Sequence, residues 1–414
     1  MGWKKRVFIL EDDEQTINLY RDIFKELEIS IFVARDIRSA VKAIRKIKSD
    51  LMILDLNLPD GSGLKILEKS RELGIGTPSI IVSGIFNQEL VGLSRELGAV
   101  CSISKPFSTQ TFIKIVKTIL EIKKLVLTDK EKCQFVYLES SQDGSTKYVA
   151  FDEGRAIEFA SLNEERRKRH TICLSSQYGC RMGCQFCVTG TKLNHNVSNI
   201  HYKDMLAKIS IAQLYYGYEY KRKEIIFAGE GEPSLNISNI LKLIEKLGNE
   251  FEFRMSTVGL IKTLPKITEN LAHVLKELQI SIHFPIDKLR SFHIAIAKSN
   301  PLKDILNLAE KFANKSGKNV LLNYTIFKGI NDSLDLAEKL AKLAKGNPFI
   351  VKLSKANPHE IYHPVMDTEM NKFEEVIKNF EVKTKKFKSR SQGTSSVCGH
   401  MAAEIEGNQN AIKP

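Results

Sequence analysis

Cys180, Cys184 and Cys187 stand in the spacing C-x-x-x-C-x-x-C within CLSSQYGCRMGCQFC, with further thiols at Cys173 and Cys398. Three thiolates on one loop can hold three irons of a [4Fe-4S] cluster and leave the fourth open to an outside ligand, whereas an electron-transfer cluster takes four cysteines. The missing fourth ligand therefore points to an iron-sulfur enzyme that runs radical chemistry. A zinc site needs one more Cys or His at matching spacing, and His195, eight residues past Cys187, could supply it. A disulfide framework fits poorly. Only 7 cysteines occur in 414 residues, and the N-terminus has no cleavable apolar core, so a reducing, cytoplasmic setting is expected.

A second chemical grouping lies in the first 125 residues. Apolar runs at 7–10, 31–34, 51–54, 80–82 and 100–103 alternate with helical patterns such as SAVKAIRKIKS. That alternation predicts five β/α units and a doubly wound parallel sheet. Asp12 and Asp13 follow the first strand, Asp55 the third, Ser83 the fourth and Lys105 the fifth, so all five converge on one rim. Three carboxylates there make a hard oxygen site suited to Mg2+, with Lys105 and Ser83 placed to contact a transferred phosphoryl group.

The elements that must carry the cysteines follow the same logic. Strand-like runs at 171–175, 225–228, 253–256, 279–283, 320–326 and 350–353 alternate with helical stretches such as ISNILKLIEKLG and SLDLAEKLAKLA. About six β/α units fit a partial TIM-like barrel with its functional residues at the carboxyl ends of the strands. The cysteines follow the first strand, GEGEP the second, STVG the third, SIH the fourth and Asn357-Pro358 the sixth. Before them, KCQFVYLESSQDGSTKYVAFDEGRAIEFASL has the alternation and turns of a small antiparallel meander. The predicted organisation is an α/β chain: residues 1–125, a linker and meander at 126–165, and a core at 166–405.

Of the net charge of +13, +9 lies in residues 126–414. Two basic clusters stand out: Arg166, Arg167, Lys168, Arg169 and His170 before the cysteine loop, and Lys383, Lys385, Lys386, Lys388 and Arg390 before Cys398. Lysine-rich runs are usually solvated faces, yet both flank candidate active-site thiols, where they would steer a polyanion such as RNA. Tyr215, Tyr216, Tyr218 and Tyr220 could stack on bases or pack a helix. No apolar run is long enough to cross a bilayer, so no membrane role is expected.

Over about residues 4–122 the chain resembles the CheY-like receiver domain of two-component response regulators. The resemblance implies that Asp55 is the phosphoacceptor, that Asp12 and Asp13 hold Mg2+ with it, and that Ser83 and Lys105 act as switch and phosphate contact. It also implies a sensor histidine kinase or phosphotransfer protein as partner. Receivers commonly place an aromatic residue three positions before the lysine, and here Ser102 stands there.

From about Gly144 to Met401 the chain resembles the RlmN/Cfr family of radical S-adenosylmethionine (SAM) RNA adenine methyltransferases. The resemblance rests on DGSTKY, AIE, CLSSQYGCRMGCQFCVTG, AGEGEP, STVG, SIHFP, IFKGINDS, NP and a late CG. It implies that Cys180, Cys184 and Cys187 ligate a [4Fe-4S] cluster. Gly231, Glu232, Ser256, Ser281, Ile282, His283 and Asn357 would hold SAM, with flavodoxin as a typical electron donor. Adenine carbon-2 is too electron-poor to accept a methyl cation, and the family's route implies roles for two thiols outside the cluster. Cys398 takes a methyl from one SAM, and a deoxyadenosyl radical from a second removes hydrogen from it. The resulting carbon radical adds to adenine, Glu158 accepts the carbon-2 proton, and Cys173 attacks Cys398 to release methylated RNA. Ribosomal RNA is the implied substrate, with transfer RNA second. Departures from the family pattern are CGHM at the late CG, RSQGTSSV before it, and Ala356 ahead of Asn357-Pro358. Two further classes stay open: a signalling module whose barrel has lost catalysis, and a radical SAM enzyme with another substrate. SAM cleavage separates the first from an active enzyme, and the effect of Cys398→Ala tests the second.

Overall fold

The computed structural model describes residues 5–84, most of 93–120, and 133–140, 145–152, 155–164, 168–193, 196–216, 220, 222–356 and 360–387. Chain packing divides it into two units, residues 1–130 with 210–218 and residues 131–209 with 219–414.

The first unit is a five-stranded parallel sheet of β1 (Arg6–Leu10), β2 (Ser30–Ala34), β3 (Leu51–Asp55), β4 (Ser79–Ser83) and β5 (Ala99–Ser104). The order β2-β1-β3-β4-β5 places the topological switch point between β1 and β3, so their carboxyl ends open onto a crevice. Successive side chains of a strand point to opposite faces, and β1 feeds two cores: Val7 and Ile9 pack with Tyr20 and Phe112, Phe8 and Leu10 with Ala40 and Leu67. Burial on both faces explains why these strands read as unbroken apolar runs. The helix Glu14–Glu26 buries Ile17, Tyr20, Ile23 and Phe24, a helical spacing that lays one face on the sheet.

The second unit is one ten-stranded sheet in the order β17-β16-β15-β14-β13-β12-β9-β8-β7-β6. Its parallel part comprises β9 (Arg169–Leu174), β12 (Arg222–Phe227), β13 (Glu252–Thr257), β14 (Leu275–Ser281), β15 (Val320–Ile326), β16 (Phe349–Lys355) and β17 (Thr384–Phe387). Two-residue strands β10 (Gln177–Tyr178) and β11 (Ser198–Asn199) form a separate ladder beside the cysteine loop. This curled parallel sheet is the predicted partial barrel with one strand more than expected. β17 was hidden because it is four residues, two of them lysine, on an edge, where charge protects open backbone groups from mispairing. The meander β6 (Cys133–Ser140), β7 (Ser145–Asp152) and β8 (Arg155–Glu164) does form, but it continues the same sheet, because β8 pairs antiparallel with β9 from Ala160↔Cys173 to Glu164↔Arg169. No helix among the described residues is long and apolar enough to cross a membrane.

Candidate functional site

In the first unit Asp55 ends β3 and Lys105 follows β5. The Lys105 ammonium bridges Asp55 Oδ2 at 2.6 Å and Glu11 Oε2 at 2.8 Å. Burial depresses that ammonium, but its bonds to Asp55 and Glu11 outweigh the effect and hold it above the ordinary lysine range. Glu11 is itself pushed up to about 7, by burial first and by the Asp55 charge, with Lys105 opposing. Ligand oxygens of Glu11, Asp12 and Asp55 lie within 4.8 Å of one another, a grouping that can hold a hard cation. Ser83, at the end of β4, accepts the Lys105 backbone N–H at 2.8 Å through its carbonyl.

This corrects the expected carboxylate set by one residue. Asp13 caps the helix Glu14–Glu26, its Oδ2 accepting the Thr16 N–H and hydroxyl at 2.7 Å each, which ties its carboxylate to the helix instead of the pocket. Glu11, missed from the sequence, takes the place. The signal was present, since an Asp followed by Thr three positions later before an apolar helical run is a capping pattern. Glu11→Gln is expected to weaken Mg2+ binding roughly tenfold by removing a charged ligand. Asp13→Ala should leave Mg2+ affinity in place and cost about 1 kcal/mol through the lost cap; calorimetric titration and thermal melting separate the two.

In the second unit the cysteine loop leaves β9 and is shaped by its own backbone. Cys180 N–H donates to Leu193 O at 3.0 Å, Cys187 N–H to Cys184 O at 3.1 Å, and Gln185 N–H to His293 O at 2.9 Å. Glycine is required at Gly183, where φ is +66° and a Cβ would sit 2.8 Å from Ala295 Cβ. Burial pushes the Cys180 thiol up to about 12, with the charges of Cys187, Glu232 and Glu230 adding to it. Cys184 is likewise raised well above the ordinary thiol range, by burial first and by the other two thiols. Sulfurs held this way call for a cation. Three cysteine sulfurs on one buried loop are the donor set of an iron–sulfur cluster that keeps one iron open. Phe186 turns into an aromatic pocket of His283, Phe327 and Tyr362 at centroid distances of 5.0, 5.0 and 5.8 Å, which keeps water from the inner side of the loop.

Facing the thiols are the expected cofactor residues. Gly231 has φ +91°, and a Cβ there would meet Gln177 Cβ at 2.5 Å, so the GEGEP turn presses directly on the segment leading to Cys180. Glu232 is buried, and three protein donors occupy its carboxylate: Thr257 Oγ1 at 2.5 Å, Val258 N at 2.8 Å and Ser234 N at 3.1 Å. Its carboxylate thereby locks the loops after β12 and β13 together. Ser256 Oγ accepts from Asn323 Nδ2 at 3.4 Å, and the N–H groups of Ile282 and His283 reach Asn323 O at 3.0 and 3.2 Å. Ser281 ends β14 opposite Asn323. His283 sits at φ +57°, its Nδ1 accepting the Thr325 N–H at 3.0 Å, which places the ring proton on Nε2. Buried Asn331 holds the same turn by donating to His283 O at 2.8 Å. Gln177, Asn323 and Asn331 were not singled out from the sequence, because their work is done by contacts between distant strand ends. Glu230 and Glu232 give the pocket acidic walls, which suits a sulfonium cation. Asn357 and Cys398 lie outside the described residues, as does His195.

Cys173 is half-buried on β9, between fully buried Ile172 and Leu174 that face the other way. It pairs with Ala160 of β8, so Glu158, two residues earlier on β8, is on the same concave face. Glu158 is itself tied down, its N–H donating to Glu230 Oε1 at 2.9 Å and its carbonyl accepting from Ser175 Oγ at 2.5 Å.

The basic clusters fare differently from expectation. Arg169 and His170 belong to β9 and are buried, Arg169 against Glu224 at 3.1 Å and His170 against the Tyr220 ring. Lys385 and Lys386 are engaged by Glu277 at 3.5 Å and Glu374 at 2.7 Å. Strand pairing turned Arg169 and His170 inward as framework, whereas Lys385 and Lys386 stay exposed beside their carboxylates. Lys388, Arg390, Arg166, Arg167 and Tyr218 lie outside the described residues, and of Tyr215 and Tyr216 only the backbone is described.

Burial holds His170 down at about 4 and His283 down at about 3, with Lys223 and Arg290 reinforcing the effect respectively. Both are neutral in the fold, whereas the unfolded chain protonates them below the ordinary value of 6.5. Stability is therefore expected to fall as pH drops below that value, by about 2 kcal/mol per histidine at pH 5. Urea unfolding at pH 7 and 5 measures this, and His170→Phe should remove one share of the slope.

An acid pocket on a doubly wound sheet and a three-thiol loop on a half-barrel are the marks of a radical SAM enzyme joined to a receiver unit. Residues 7–117 match the response regulator receiver domain family and residues 174–337 the radical SAM superfamily. The chain is 30% identical over 282 residues to the dual-specificity RNA methyltransferase RlmN of Geotalea uraniireducens, covering 65% of this chain and 78% of that protein. It is 33% identical over 277 residues to the probable dual-specificity RNA methyltransferase RlmN of Thermus thermophilus, covering 64% and 76%. The crystal structure of a radical SAM methyltransferase from Sphaerobacter thermophilus shares the fold, with a TM-score of 0.60 at 24% identity over 67% of this chain and 84% of that one. The chain belongs to the RlmN family of radical SAM methyltransferases, with a receiver domain at its N-terminus.

Proposed function

We propose that the protein methylates carbon-2 of an adenosine in RNA, ribosomal RNA first and transfer RNA second, under the influence of phosphorylation at Asp55. The relatives' activity on RNA supports the substrate class. The observation that carries the chemistry is the placement of Cys173 and Glu158 on one concave face, on strands next to the cysteine loop. A [4Fe-4S] cluster on Cys180, Cys184 and Cys187, with SAM against Gly231, Glu232, Ser256, Ser281, Ile282, His283 and Asn357, supplies a carbon-centred radical when reduced by a donor such as flavodoxin.

Everything else falls to side chains. Cys398 carries the one-carbon unit and becomes joined through it to the base; Glu158 takes the proton from carbon-2, and the odd electron on the adduct would pass back to the iron–sulfur cluster, leaving a closed-shell thioether. The Cys173 thiolate then attacks the Cys398 sulfur. A sulfur–sulfur bond forms as the carbon–sulfur bond breaks, and its electron pair leaves on the RNA carbon, which gains a proton to become methyl. External thiol or an equivalent reductant restores the two cysteines, which fits a cytoplasmic location.

In the receiver, Glu11, Asp12 and Asp55 would hold Mg2+, and a histidine kinase or phosphotransfer protein would supply the phosphoryl group to Asp55, with Lys105 and Ser83 contacting it. Anaerobic reconstitution, incubation with ribosomal RNA and mass spectrometry of protein and nucleosides provide the test. The expected result is a methyl on Cys398 together with 2-methyladenosine, both lost in Cys398→Ala. Methylated RNA from Cys398→Ala would sink the carrier role. Equal rates for wild type and Asp55→Ala, with and without a small-molecule phosphodonor, would sink the regulation.

A further inference from the structure

The two most exposed large apolar side chains among the described residues flank the cysteine loop. Phe292 is 69% exposed and Ile361 66%. Both stand beside Gln185, which lies between Cys184 and Cys187. Gln185 Nε2 donates to Phe292 O at 2.9 Å, and its Oε1 accepts the hydroxyl of Tyr362, the neighbour of Ile361, at 3.0 Å. The Tyr362 oxygen is in turn 2.7 Å from Nδ1 of His293, the neighbour of Phe292. Tyr362 and His293 are buried, so an anchored polar chain under the patch fixes where Phe292 and Ile361 stand. Singly scattered apolar side chains need no explanation, but a group of them beside a reaction centre marks a surface that meets a partner.

The patch has a cationic rim. Lys288 lies four residues before Phe292 on the helix Asp287–His293, one turn away on the same side. The cysteine loop pairs antiparallel with the stretch after that helix: Cys184 bridges Ile294, Gly183 O accepts from Ala295 N at 3.2 Å and Met182 O from Ile296 N at 3.3 Å. Continuing that register brings Arg181 beside Ala297 and Lys298. Arg181, Lys288 and Lys298 are exposed, and among the described residues none of the three is in an ion pair. Two acids stand near them in the chain, Asp287 and Glu360, and Asp287 is turned to the next helix, where its Oδ1 accepts the Leu302 N–H at 2.8 Å.

The radical chemistry takes one electron from outside for each SAM cleaved. Phe186 and its aromatic pocket fill the inner side of the loop, so a protein donor reaches the thiols from the outer side, where Gln185 is exposed. An apolar centre within a charged rim is the make-up of a transient protein interface, in which the rim steers and the centre seats. Ile361 offers a nucleic acid neither a ring to stack on nor a charge, which favours a protein as the occupant.

We propose that Phe292 and Ile361, rimmed by Arg181, Lys288 and Lys298, form the docking surface for an acidic one-electron carrier protein of the flavodoxin class. The carrier is oxidised by one electron, the cluster behind Gln185 is reduced by one, and no bond forms between them. The transfer rests on the cluster reading given above, whereas binding of the carrier to this face is measured separately.

The test uses reconstituted full-length protein. Binding of a fluorophore-labelled flavodoxin is followed by anisotropy, and SAM cleavage to deoxyadenosine is measured with reduced flavodoxin and with dithionite. Phe292→Glu should weaken flavodoxin binding about tenfold and raise the flavodoxin concentration at half-maximal rate by the same factor. Lys288→Glu should weaken binding about threefold, more at low salt than at high. Dithionite needs no docking surface and should drive both variants at the wild-type rate. No measurable affinity of the wild type for flavodoxin, or unchanged affinity in Phe292→Glu, overturns the proposal. So does an equal loss of rate with both reductants, which would make Phe292 part of the loop's scaffold. Normal flavodoxin affinity with weaker RNA binding in Phe292→Glu would assign the patch to RNA and likewise overturn it. Wild type that binds flavodoxin through this face yet holds no iron or sulfide after reconstitution would keep the docking surface and sink the cluster reading.

Discussion

Cys184→Ala is expected to lower SAM cleavage and methyl transfer by roughly a thousandfold or more, to background, and to leave protein with little bound iron or sulfide. The thiol is buried among the other two ligands and raised by that burial, so its proton leaves only when metal arrives. Reconstitution of wild type should therefore release protons and quicken as pH rises. The fold should survive the substitution, because backbone bonds from Cys180 to Leu193 and from Gln185 to His293 shape the loop without metal. A cost of about 1 kcal/mol is expected for the lost sulfur. Iron and sulfide analysis beside a thermal melt checks both parts. Wild-type cluster content in this variant would remove Cys184 from the ligand set.

Glu224→Gln should be the most destabilising exchange away from the cysteine loop. Glu224 is completely buried and serves Arg169 and Arg254 at 3.1 Å each and Arg222 at 3.3 Å. Removing its charge takes away the buried carboxylate that Arg169 and Arg254 share, and breaking a buried pair in this way costs about 3–5 kcal/mol. Asp335→Ala supplies the contrast. Its helical pair with Lys339 has side chains 67% and 43% exposed, and a pair of that kind contributes about 0.3–0.5 kcal/mol. Urea midpoints of the two variants measure the difference. A shift below about 1 kcal/mol for Glu224→Gln would mean that the arginines find water or other partners. In a double variant with Arg254→Leu, the cost of losing Glu224 should shrink, since one stranded cation goes with it.

Much of this protein was legible in its residues because the relevant interactions are local. Apolar runs separated by helical spacing gave five strands of the receiver sheet and six of the barrel, and the cysteine spacing is a property of one short loop. Asp55 and Lys105 could be placed at strand ends for the same reason. The exchange of Asp13 for Glu11 shows how fine the local reading must be: one residue of helix cap decides which carboxylate reaches the pocket.

Only the tertiary structure decided which way a charged residue turns and what it meets. Arg169 looked like surface for RNA, yet the fold buried it against Glu224, a partner 55 residues away, while Lys385 stays exposed beside Glu277, 108 residues away. The occupation of Glu232 by Thr257, Val258 and Ser234 was equally invisible. Local sequence encodes which residues can bond and where strands begin, but the pairing of charges depends on the order in which strands join and on the curvature that brings opposite walls together.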